Sequence, residues 1–256
     1  MIRQYFVSQG SIVREIWSRQ DVILFIFAGS AAEFALNKAV DWLYFTGKIP
    51  KDPLGRLLST VDYARGIIFA TYDDAVNVIN RINSIHGGVE AARQAKIPDW
   101  AYRDVLYMLL DYSVKAYEMV QRKLTHAEKE EIFSVFTEMG TLMGLQSLPA
   151  NYKEWVKERE MHIHTDLVLS NYTQDLYQQY RKHLGFVRYE LLLGVQAALV
   201  PNHAATLLQL KHKTVYKGLI AAYKYATYIK VDRLLDPIVL PGKYKLNLMA
   251  ANARPA

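Results

Sequence analysis

The stretch Thr71–Val89, TYDDAVNVINRINSIHGGV, decides how this chain folds. Ala75, Ile79, Ile82 and His86 recur at steps of four, three and four residues, which puts them on one face of a helix. Val78 and Ile85 flank that face, and Asn77, Arg81 and Ser84 fall on the opposite side. Thr71, with Asp74 three residues on, has the pattern of a capping box, and the pair Gly87-Gly88 predicts the helix end.

The same period extends in both directions. Helices are predicted over 12–28 and 31–45, then over 53–69, where Asp52-Pro53 reads as an N-cap followed by proline in the first turn. A long apolar helix is expected over 102–122, and Thr125 with Glu128 opens another that runs towards Met143-Gly144. The stretches PANYKEWVKERE and YTQDLYQQYRKHL add two more, until LDPIVLPGKYKL breaks the pattern with two prolines and a glycine. No segment alternates as a half-buried strand would, and no repeat has a fixed period. The expectation is one all-α multi-helix domain over 1–240, with globin-like core helices and extra peripheral ones, and an extended or disordered tail over 241–256.

Composition narrows the function classes. With 51% hydrophobic and 22% charged residues, the chain has the balance of a folded protein rather than a disordered one. The absence of cysteine excludes disulfides, zinc–thiolate sites, thiolate-ligated haem and cysteine nucleophiles, and it fits a reducing compartment. The start, MIRQYFVSQGSIVREIW, has no apolar signal region, and the most apolar run, VILFIFAGSAA, is ended by Glu33 before it could span a bilayer. A cytoplasmic protein is expected. From Pro201 onward, seven Lys and two Arg face two Asp, so this segment holds the whole excess of the +6 net charge. Tyr216, Tyr223, Tyr225 and Tyr228 alternate there with Lys217, Lys224 and Lys230. Such a stripe suits an amphipathic core helix with snorkelling lysines, and peripheral contact with an anionic membrane is its functional alternative. Nothing in it favours nucleic acid.

Among the candidate site residues, His86 points where the core should be. Burial disfavours its imidazolium and a helix C-terminus favours it. If burial wins, the neutral ring can bind a metal, and Gly87 and Gly88 would let a flat ligand approach the backbone. Position alone favours a structural core histidine. Arg56, Ser59, Thr60 and Tyr63 share a polar helix face, where a guanidinium and two hydroxyls could hold a carboxylate, a propionate or oxygen. An ordinary exposed face is the plainer alternative. His162 and His164 would point apart on a helix, and the charges around them, Glu158, Arg159, Glu160 and Asp166, suggest solvent. There is no glycine-rich phosphate loop, nucleophile elbow or HExxH.

Taken in order, KDPLGRLLSTVDY, IIFAT, NRINSIHGGV, AYEMVQRKLTHAEKEE and FTEMGTLMGL resemble the family of latex-clearing rubber oxygenase and the fungal membrane-bound oxygenase of mycophenolic acid biosynthesis, over roughly residues 14–210. The resemblance implies an all-α, haem b-binding domain. It makes His86 the proximal iron ligand, as the histidine of an R-x-N-x-x-H pattern formed by Arg81, Asn83 and His86. It likewise places Arg56 and Thr60 on the distal side. Three departures stand out. Ser59 occupies the position of the rubber oxygenase's distal lysine, RDVLYMLLDYSV lacks the histidine of a W-V-H stretch, and FALNKAV lacks a histidine-proline pair. Glu33 and Asp41 are the nearest candidates for a catalytic carboxylate.

The resemblance therefore implies activation of dioxygen to oxidise an apolar isoprenoid or aromatic molecule. Arg56, Ser59 and Thr60 would act at the reacting side, and His86, Arg56 and Arg81 would hold the haem. A haem-binding or helical interaction protein without turnover is the alternative.

Overall fold

The computed structural model describes residues 4–47, 52–211 and 218. The basic, tyrosine-rich stripe and the tail over 241–256 lie outside them. Ten helices are described: α1 (Ile12–Ser18), α2 (Gln20–Leu36), α3 (Val40–Phe45), α4 (Pro53–Ile68), α5 (Tyr72–Arg93), α6 (Asp99–Val120), α7 (His126–Leu142), α8 (Tyr152–Asp166), α9 (Asn171–Leu199) and α10 (Asn202–Leu207). Among the described residues there is no strand beyond two isolated bridges, Tyr5 to Thr71 and Asn37 to Leu167. The chain is all-α, as its periodicity predicts.

The starts of helices follow their side chains. Asp52 accepts from the Gly55 amide at 3.2 Å, with Pro53 in the first turn of α4. Thr125 and Glu128 form a complete capping box on α7, and Thr71 accepts from the Asp74 amide at the start of α5.

Three boundaries differ from the periodic reading. The stretch 12–28 is two helices, because Arg19 turns extended (φ −88°, ψ 115°) and its guanidinium bonds Asp21 at 2.9 Å. The stretch 31–45 is likewise split at Asn37, whose carbonyl-side backbone is extended and whose amide group reaches across to Asp104. The third is α5, which continues through both glycines to Arg93 and ends on a left-handed Gln94 (φ 54°). Glycine costs about 1 kcal/mol in a helix interior. Here the last turn is held from beyond, where Glu90 binds Lys96 and accepts from the Ile97 amide at 3.0 Å.

Helix α2 sits at the centre. Nearly every residue from Val22 to Ala32 is buried, which is what an all-round apolar helix requires. It packs most extensively on α6 and α9. Close approach to α6 is set at Gly29, where any Cβ would lie 2.3 Å from the Tyr112 ring. On the other side, α9 is tied to backbone carbonyls of α2 by Tyr180 (to Ala31, 3.2 Å) and Gln196 (to Ala28, 3.0 Å). Helix α9 itself bends at Gly185 (φ 74°), a backbone angle that glycine tolerates without strain. No described helix is long and apolar enough to cross a membrane.

Candidate functional site

Helices α2 to α8 enclose a cavity of about 700 Å³. Its lining is mostly apolar, and two polar groupings face into it, a combination usual for ligand sites.

The first grouping lies on α4 and α5. His86 lines the cavity with Ile82, Ile85 and Val89 beside it, so the predicted apolar face does point inward. Because α5 runs on to Arg93, His86 stands two turns before the helix end, and the C-terminal dipole gives its cation little help. Burial lowers the pKa of His86, and the nearby charge of Arg56 lowers it further, against a smaller opposing effect of Glu90. The ring is therefore neutral at ordinary pH. Its Nδ1 is buried and has no hydrogen-bond partner, while the edge of Tyr102 packs against it at 5.0 Å between centroids.

Arg56, Ser59, Thr60 and Tyr63 also line the cavity, so this polar face is not a solvated one. Arg56 Nη1 donates to Ser59 Oγ and Thr60 Oγ1, each at 3.2 Å. No carboxylate pairs with its guanidinium among the described residues, and burial lowers its pKa. Ser59 spends its hydroxyl hydrogen on the Arg56 carbonyl at 2.6 Å. Thr60 only accepts, so its hydrogen remains available to an oxygen in the cavity.

Other expectations separate from the site. Arg81 is exposed on the far side of α5, away from the cavity, and Gly87 and Gly88 are exposed with open space around them. The glycines therefore form no cradle at the cavity wall. Asp41 does not line the cavity; it pairs with Arg93 at 2.6 Å, and that guanidinium stacks on Trp42 at 4.1 Å. Glu33 does line it, but its carboxylate is occupied. Arg159 Nη2 holds both Glu33 oxygens at 2.6 Å, and Tyr112 donates to Oε1 at 2.5 Å.

The second polar grouping went unread in the sequence. Arg159 and His162 are buried rather than solvated, and both line the cavity. Arg159 bridges Glu33 to Asp111 (3.1 Å). His162 Nδ1 lies 2.5 Å from Asp104 Oδ1 and 3.0 Å from Asp166 Oδ2, and Asn37 donates to Asp104 Oδ2 at 2.6 Å. Burial lowers the pKa of His162, but the bond to Asp104 and the charges of Asp104, Asp166 and Glu158 outweigh it, so the net shift is upward. Burial in turn pushes the Asp104 carboxyl up. A signal was available: Trp155, Arg159, His162 and Asp166 are spaced four, three and four on α8, and Asp104 and Asp111 are seven apart, flanking the apolar run Val105–Leu110 of α6. His164, by contrast, is exposed, as its spacing from His162 predicts.

Residues 19–227 match the family described as ER-bound oxygenase mpaB/B′/rubber oxygenase, catalytic domain. The chain belongs to this family. No curated protein and no solved structure matches the chain. Membership agrees with the motif order read from the sequence, and it makes an oxygenase-type catalytic domain the frame for the cavity.

Proposed function

We propose that the chain is a haem b-dependent oxygenase that activates dioxygen to oxidise an apolar isoprenoid or aromatic molecule. The observation that carries this reading is the pairing, at one cavity, of a neutral histidine lacking a partner on Nδ1 with a half-buried guanidinium lacking a carboxylate. A neutral imidazole is a good iron ligand, and an arginine of this kind suits a propionate. The cavity volume and apolar walls also fit a porphyrin with an apolar substrate beside it.

When bound, the haem would supply the oxygen chemistry itself. The chain's residues supply position and polarity. His86 would hold the iron, and Arg56 would fix the cofactor's carboxylate edge while orienting Ser59 and Thr60. Thr60, which keeps a free hydroxyl hydrogen, would donate to an oxygen in the cavity. The apolar residues of α5 exclude water and receive the substrate's carbon skeleton. Arg81, exposed on the outer face of α5, would act on the haem only indirectly, through the placement of that helix. The basic segment beyond residue 211 would rest on an anionic membrane from which such substrates partition.

A second reading, a haem binder without turnover, has one specific observation in its favour: Glu33 and Asp41 are both committed to arginines, which leaves neither free as a base. Protein purified from haem-replete cells should show a Soret band that His86→Ala abolishes. Colourless protein after haem supplementation would remove both readings. Oxygen uptake with a panel of terpenoids separates them, since a binder consumes none.

A further inference from the structure

The wall opposite in character to that of His86 holds an imidazole arranged for proton transfer. His162 lines the cavity and is 7% exposed, and its Nδ1 is held by Asp104 at 2.5 Å and approached by Asp166 at 3.0 Å. Two carboxylates at one nitrogen keep a hydrogen on Nδ1 in either charge state. The other nitrogen, Nε2, makes no hydrogen bond among the described residues, and the Glu158 carboxylate is 3.8 Å away. Glu158 is itself engaged by Tyr107 (2.9 Å) and Arg103 (3.3 Å). Asn37 bonds the far oxygen of Asp104 at 2.6 Å and so fixes the carboxylate. A cavity-lining histidine oriented by a carboxylate on one nitrogen, with the other left without a hydrogen bond, is the arrangement used for general acid–base work.

We propose that His162 is a catalytic residue of this cavity, with Nε2 binding a carbonyl or hydroxyl oxygen on an otherwise apolar ligand and giving it a proton, and with Asp104 and Asp166 as its positioning residues. The inference rests on the cavity being the oxygenase site. In the step, the Nε2–H bond breaks as an O–H bond forms on the ligand. The bonding pair stays on Nε2, and the ring is left as the neutral Nδ1–H tautomer. A neutral oxygen acceptor suits the wall better than an anion, because the two carboxylates already exceed the single imidazolium charge. This supplies the proton-handling group that Glu33 and Asp41, locked to arginines, do not.

The same three residues lie close enough to hold a cation. The 2.5 Å separation of Nδ1 and Asp104, however, is that of a hydrogen bond already made, and the unpartnered atom is on the other side of the ring.

The test uses the full chain with nitrogen-15 histidine, in the diamagnetic ferrous carbon monoxide form where it carries haem. The signals of His162 and His86 are identified from His162→Gln and His86→Gln. Camphor and bornane are the probes, since they share one carbon skeleton and differ in a ketone against a methylene. Camphor should bind about fivefold or more tightly than bornane and shift the His162 Nε2 resonance, the gain expected of one hydrogen bond. Asp104→Asn should lower the His162 titration midpoint and reduce that preference below about twofold. Equal binding of the two probes, read on the parent chain alone, or a response confined to other histidines, would overturn the proposal. One equivalent of zinc binding to Nδ1 and displacing the camphor response would overturn it in favour of a metal site. A chain with no Soret band but with the His162 response would remove the haem reading and leave this one standing.

Discussion

On the α4–α5 wall, Arg56 has two hydroxyls as its hydrogen-bond partners among the described residues, and His86 keeps a buried nitrogen unpaired. In the same cavity, on α2, α6 and α8, Arg159 is clamped to Glu33 and Asp111, and His162 sits between Asp104 and Asp166. The first wall leaves charge and hydrogen-bonding capacity unsatisfied by the chain, while the second satisfies almost all of it internally. Unsatisfied buried polarity costs stability and is retained where something else completes it, whereas a closed ion network serves the fold. The difference therefore separates a wall built to receive a ligand from one that holds helices together and leaves His162 Nε2 turned to other use.

The largest effect should come from breaking the closed wall. Arg159→Met leaves Glu33 buried without its counter-charge and Asp111 with Lys115 alone, and should cost about 3–5 kcal/mol in urea unfolding. A loss within 1 kcal/mol of zero would show that water already reaches these carboxylates. The same change on the other wall should behave differently. Arg56→Met removes a cation that has no anionic partner, so the stability of the cofactor-free chain should change by no more than about 1 kcal/mol, in either direction. Haem retention, followed by the Soret band, should fall at the same time. A large stability loss for Arg56→Met would mean that the two walls are alike.

The contrast was only half legible in the sequence. The helical period alone placed His86 and its apolar neighbours on one face, and the Asp52 and Thr125 caps fixed two helix starts, because these are local matters settled within a few turns. The Arg56, Ser59 and Thr60 group was also visible, as spacing within one helix. The break at Asn37 was not, because it is fixed by a partner elsewhere: Asn37 turns out of α2 to reach Asp104, sixty-seven residues away. The closed wall was hidden for the same reason. Arg159 and His162 look solvated among Glu158, Glu160 and Asp166, and only their pairing with Glu33, Asp111 and Asp104 on other helices makes their burial tolerable.

The smallest effects sharpen the comparison most directly, because they set one histidine against the other. His86 has a lowered folded pKa, so the unfolded chain takes up a proton that the native one refuses. Its contribution to stability is full above the usual value of 6.5 and is lost as pH falls towards the lowered one. His162 has a raised folded pKa, and the sign reverses: its contribution is full below 6.5 and is lost as pH rises through the raised value. Urea midpoints measured across this range should therefore slope downward on the acid side in the parent chain and less steeply in His86→Gln, while His162→Gln should flatten only the alkaline side. Parallel curves for the two variants would mean that both rings sit in equivalent surroundings. Opposite slopes would mean that one cavity holds a neutral imidazole suited to a metal and a cationic one suited to giving up a proton, which is the division of labour expected of an acid–base group working beside a bound cofactor.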